Sequence, residues 1–180
     1  MEWRNKITLA ACLLFTLTGF SSAANSAPQG QGRVNMQGAI IDAACAIATE
    51  NREQIIDMNI IPLSQIMSDG RGGTIPFSIE LVNCVLERAD KKLPDWNQFQ
   101  ITFDGKAEGD LFGVNGDASG IALRIADSAG NIAVPGAPLP LQDITPGNYR
   151  LNYGITLLSN KQPLKAGSYF SSVRFKMDYY

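Results

Sequence analysis

Three cysteines and the lack of any histidine bound the chemistry of this 180-residue chain. Cys12 lies in an N-terminal stretch that reads as a removable leader, so Cys45 and Cys84 are the pair a mature chain keeps. Two thiols in an exported chain read as a disulfide. Such a bond closes a loop of roughly 40 residues and contributes about 4 kcal/mol by restricting the unfolded chain. Two free thiols are the alternative. A zinc centre is excluded, because two cysteines without histidine cannot complete its ligand set. Without imidazole, Ser–His and Cys–His nucleophiles and His-ligated copper or zinc are excluded too. Paired carboxylates could still do acid–base work. Yet Asp57, Asp104, Asp110 and Asp127 fall on separate strand-like or turn-like segments, where acids are usually solvated. The side chains therefore point to one cross-link, with no enzyme, no cofactor, no metal and no small-molecule substrate.

The elements around that cross-link begin after the leader. Arg4 and Lys6 precede the apolar run Ile7–Phe20, which is too short and too weakly flanked for a membrane span. Ser22-Ala23-Ala24 is a small-residue cleavage site, so residues 1–24 read as a signal peptide and the mature chain starts at Asn25. A cut after Ala27 is disfavoured by Pro28. The leader holds Glu2, Arg4 and Lys6, which leaves 13 basic and 16 acidic residues of the original 15 and 17, a net charge of −3. That balance offers no basic patch for nucleic acid. About 150 residues make one ordinary domain.

Residues 25–32 have the composition of a flexible tail. From Arg33 to Ile41 the chain then alternates. Val34, Met36, Gly38 and Ile40 share one face, and Arg33, Asn35, Gln37 and Ala39 the other. A glycine inside an apolar row marks a close approach of another backbone or a bulge. We divide the mature chain into an extension, 25–41, and a folded domain, 42–180.

Within the domain, Gln54–Ile60 is a short strand candidate and Pro62–Met67 a helical turn. Ser68–Gly73 is a loop by composition. Thr74–Cys84, Phe99–Phe103, Gly120–Ala126 and Tyr149–Leu157 read as strands, and Ile132–Val134 as a hairpin arm after the Asp127–Asn131 turn. Lys106–Ser119 reads as a polar, Gly-rich loop. Seven or eight short strands without a long amphipathic helix predict an all-β sandwich.

The final strand is the most informative. Val173, Phe175, Met177 and Tyr179 alternate with Arg174, Lys176, Asp178 and Tyr180. No element follows to pair its far edge, and an apolar stripe beside an open edge invites another strand. The four apolar residues could equally belong to the core of a complete sandwich.

The mature chain resembles the pilin subunits of bacterial chaperone–usher fimbriae, particularly those of P pili. Pro28–Val34, followed by Gly38 and Cys45, looks like the start of the P-pilus major pilin. Gln54–Met58, Val82-Asn83-Cys84, Gly120–Asp127, Gly130–Ala133 and Ala166–Phe170 look like its minor, assembly-terminating relative. The family ends on a glycine fourteenth from the C-terminus and an aromatic residue next to last, and Gly167 and Tyr179 stand there.

The resemblance implies an incomplete immunoglobulin-like β-sandwich that lacks its last strand and is completed by donor-strand complementation. It implies a donor strand at Val34, Met36, Gly38 and Ile40, and an acceptor or chaperone-binding strand marked by Gly167, Val173, Phe175, Met177, Tyr179 and Tyr180. A periplasmic chaperone would lend a strand first, holding the Tyr180 carboxylate with basic residues. An outer-membrane usher would then exchange that strand for the extension of a neighbouring pilin subunit. The chain would pass through the periplasm to a fimbrium on the cell surface and support adhesion there. Shaft, minor and terminating roles all fit. Outside the family, a self-contained secreted β-sandwich binding module is the competing reading.

Overall fold

The computed structural model describes residues 32–38, 40 and 42–180. The leader, its cleavage site, residues 25–31, Ala39 and Ile41 lie outside the described residues. The chain divides after Ala39. In the first unit, residues 32–38 form no strand, although their sequence alternates as a strand does. Val34 and Met36 are exposed, and nothing lies within 4 Å of where a Cβ on Gly38 would sit.

The second unit, Ile40–Tyr180, is nearly all β. Its strands are β1 (Ala46–Ile47), β2 (Arg71–Cys84), β3 (Gln98–Gly105), β4 (Ala107–Glu108), β5 (Leu111–Gly113) and β6 (Asn115–Gly116). They continue with β7 (Ile121–Asp127), β8 (Ile132–Ala133), β9 (Gln142–Asp143), β10 (Gly147–Ser159), β11 (Tyr169–Phe170) and β12 (Val173–Tyr179). One helix, α1, spans Leu63–Asp69.

Every pairing is antiparallel. The larger sheet runs β1-β2-β10-β7-β5-β4, with β8 added to β7. The smaller runs β12-β3-β9, and β11 pairs with β6. Alternation along the long strands sends Ile79, Leu81, Leu151, Tyr153 and Leu157 inward from the larger sheet. Phe99, Ile101 and Phe103 come from the smaller one. Phe103 bridges the sheets, edge-on to Tyr153 at 5.1 Å and to Phe77 at 6.3 Å between centroids. Cys45 and Cys84 are bonded, with Cα atoms 4.1 Å apart, tying the approach to β1 to the end of β2.

Four local expectations change. The loop expected at 68–73 is the end of α1 and the start of β2. Gly70 stops the helix in the left-handed region, φ +69°, and its N–H returns to the Ile66 carbonyl. Arg71 then pairs with Leu158, a neighbour that loop composition cannot foretell. The polar loop expected at 106–119 contains β4, β5 and β6, each too short to show a period. Lys106 Nζ holds it together by donating to Val114 O and Asn115 Oδ1. The strand expected at 54–60 is absent as a strand, because no neighbour pairs with it among the described residues. The alternating extension likewise carries the pattern without the ladder.

Candidate functional site

An apolar groove of about 680 Å³ lies between the segment 54–61 and the stretch 165–173 that leads into β12. Its floor is inner-face residues of two strands: Ile121, Leu123 and Ile125 from β7, Ile155 and Leu157 from β10. Ile66 of α1 adds to the lining.

The first rim is pinned at its ends and open between them. Gln54 Nε2 donates to Ser78 O at 3.0 Å, and Asn51 Oδ1 accepts the Glu80 N–H at 2.6 Å. At the other end Ile61 packs into the space over Gly72, where a Cβ would lie 2.6 Å from its Cδ1. A side chain at residue 72 would force the Ile61 side chain to move aside. Between the pins, residues 55–61 make no main-chain ladder among the described residues. A single turn interrupts them: the Asn59 N–H donates to Asp57 Oδ1 at 2.8 Å, and Asn59 takes a left-handed φ of +58°. Ile55 and Ile60 are fully exposed.

The second rim is 165–171, and it leads into β12, which lines the groove at Val173. That strand pairs with β3 from Val173↔Gly105 to Tyr179↔Phe99. Among the described residues nothing pairs with its other edge. Val173, Phe175, Met177 and Tyr179 pack against the core yet stay only half-buried, while Arg174 and Lys176 are exposed. An unpaired strand edge in a folded protein carries N–H and C=O groups that need partners.

The lower end of β12 is firmly stitched. Tyr179 Oη donates to Cys45 O at 3.3 Å, and its ring meets those of Trp96 and Phe99. The Tyr180 N–H donates to Gln98 O at 2.8 Å, and Tyr180 O accepts from the Asn97 and Gln98 N–H groups. Burial raises the Tyr179 hydroxyl above its ordinary range, as it does for Tyr169. Tyr149, on the buried face of β10, is pushed up to about 12 for the same reason.

The structure brings some expected site residues together and leaves others apart. Val173, Phe175, Met177 and Tyr179 share the inward face of β12. Gly167 precedes β11 and lines the groove from there. A Cβ on it would lie 2.7 Å from that of Asp117 and 2.8 Å from Ala118 N, so glycine is required by a close crossing of two backbones. The Asp117 and Ala118 N–H groups both donate to Ser168 O across that crossing. Val34, Met36 and Ile40 are exposed, and Gly38 has no local reason to be glycine. Sequence reading missed the whole first rim as a rim, and missed α1 as part of the lining. The strand-like composition of Gln54–Ile60 was visible, but its missing neighbour was not.

No family model matches the chain. The PRS fimbrial minor pilin protein of Escherichia coli is 35% identical over 150 residues, covering 82% of this chain and 77% of that protein. The Fimbria A protein of Serratia marcescens is 34% identical over 180 residues, covering 97% of this chain and 98% of that one. In fold, the crystal structure of the P pilus rod subunit PapA matches with a TM-score of 0.68 at 20% identity, over 77% of this chain and 100% of that one.

Proposed function

We propose that this chain, which belongs to the fimbrial pilin family and is a structural subunit of a chaperone–usher pilus, joins its surface fibre by accepting one extended segment and donating another. The accepted segment is the extension of a neighbouring subunit, laid between residues 54–61 and β12. The donated segment is 33–41, with Val34, Met36 and Ile40 as its apolar row and Gly38 where the neighbour's groove is shallow. This is β-augmentation, of which chaperone–pilin donor-strand complementation is a standing example.

One observation carries the reading: among the described residues the 55–61 segment and the outer edge of β12 lack main-chain partners, and both adjoin an apolar groove that β12 enters at Val173. An incoming strand would cover the floor and partner both at once. Three buried side chains at about 1.5–3 kcal/mol each give roughly 5–9 kcal/mol gross. Ladder hydrogen bonds add about 1 kcal/mol apiece, against about 1–2 kcal/mol for ordering each residue of the arm. Fit along the groove therefore decides affinity.

Before a neighbour arrives, a periplasmic chaperone fills the groove and holds the Tyr180 carboxylate; an outer-membrane usher oversees the exchange. The chain has no catalytic role. Likeness to a minor pilin supports a minor place in the fibre.

The test is purification with and without a cognate chaperone. We expect a soluble complex with it, and aggregation or self-polymerisation without it. A stable, soluble monomer with no added strand would overturn the proposal. So would a complex that survives deletion of Val173–Tyr180.

A further inference from the structure

The sequence holds five methionines, and all but Met1 lie among the described residues. Met36 is 90% exposed and Met67 70%. Met58 and Met177 are half-buried against the core. Met58 lines the groove, and the Met177 sulfur lies 3.8 Å from Tyr179 Oη. Met67 stands on α1, away from the groove lining.

Met36 is the only sulfur in the row Val34, Met36, Gly38 and Ile40. An unbranched thioether fits an irregular apolar surface well. It is also the one side chain of that row that a mild oxidant can change. The sulfur lone pair attacks the outer oxygen of a hydroperoxide, an S–O bond forms, and the O–O bond breaks. The sulfur is oxidised by two electrons and hydrogen peroxide is reduced to water. The sulfoxide is polar and needs a hydrogen-bond donor. A floor such as Ile121, Leu123, Ile125, Ile155 and Leu157 offers no side-chain donor, so burying the oxidised residue there is costly. The free arm holds its sulfur in the open, whereas a seated arm would cover it.

We propose that Met36 is an oxidation site at which a hydroperoxide disables the unassembled arm, reversibly, by making its apolar row polar. This rests on 33–41 being the donated strand.

The first test offers the synthetic 33–41 peptide, with Met36 as thioether or as sulfoxide, to the chaperone-bound subunit. The sulfoxide form should dissociate about tenfold faster. Treatment with a methionine sulfoxide reductase should restore the slow rate. Dissociation of the sulfoxide form no faster than that of the thioether overturns the inference while leaving the groove reading intact. Failure of both forms to bind overturns both. The second test treats the chaperone-bound wild type, M36L and M67L with dilute hydrogen peroxide. Fibre incorporation is read as the ratio after to before treatment, each variant against itself. That ratio should fall about tenfold for wild type and M67L, and stay within about twofold of unity for M36L. Peptide mass mapping should find oxygen on Met36 and Met67 before Met58 and Met177. An equal fall in M36L, or oxidation of Met177 ahead of Met36, overturns the inference.

Discussion

Strands β10 and β12 have the same sequence rhythm and different fates. β10 alternates Leu151, Tyr153, Ile155 and Leu157, and β12 alternates Val173, Phe175, Met177 and Tyr179. β10 is flanked by β2 and by β7. Its Leu151, Tyr153 and Leu157 are buried, at 8%, 4% and 2% exposure. β12 has one flank, on β3, and all four of its apolar residues are left half-buried. Ile155, the half-buried member of the β10 row, faces the groove. The pattern of a strand thus declares which face is apolar. Burial along that face declares whether the neighbouring strand is present.

The largest expected effect separates the two regions directly. Phe99→Ala, in the closed part of the core, should cost about 3–5 kcal/mol whether or not a strand fills the groove. Phe175→Ala should cost less in the open subunit and approach the same range once an arm peptide is bound. Denaturant unfolding with and without the peptide measures both. An equal cost for Phe175→Ala in the two states would erase the distinction between β10 and β12.

Removing both Cys45 and Cys84 by substitution with alanine should cost about 4 kcal/mol in either state, since the bond acts on the unfolded chain. A cost that appeared only in the filled state would tie the disulfide to the groove instead.

The two glycines of the proposed sites sharpen the comparison further. Gly167→Ala forces a methyl against the backbone of Asp117 and Ala118, and should destabilise the subunit by about 1–3 kcal/mol. Gly38→Asn meets nothing in its own surroundings, and should change stability by less than about 0.5 kcal/mol while blocking entry of this arm into a partner. Thermal unfolding and fibre incorporation report the two outcomes separately.

The last effect is alkaline. Tyrosine in the unfolded chain titrates near pH 10, and Tyr149 in the fold near about 12. The stability this burial confers is complete below about pH 10 and falls as pH rises through 12, because the unfolded chain gives up its proton first. Ultraviolet titration should show arm binding raising the Tyr169 midpoint, beside the groove, and sparing Tyr149.

Much of this was legible in the residues. The long strands, the half-buried final strand and the cysteine pair follow from period-two alternation and from an even thiol count in an exported chain. Two-residue strands such as β4 and β6 were hidden because no period fits in two residues. The start of β2 at Arg71 was hidden because Gly72 and Gly73 read as a loop until Leu158 is seen to pair there. The first rim reads as a strand because Gln54–Ile60 has the composition of one. What it lacks is a partner, and a partner belongs to the fold rather than to the segment.

Amide hydrogen exchange on the chaperone-released subunit, with and without the 33–41 peptide, tests the central claim most directly. The account predicts new protection on the main-chain amides of 55–61 and on the outward amides of β12 together, with β2 and β10 unchanged. Protection already present at both without any added strand, or none gained when the peptide binds, would contradict it.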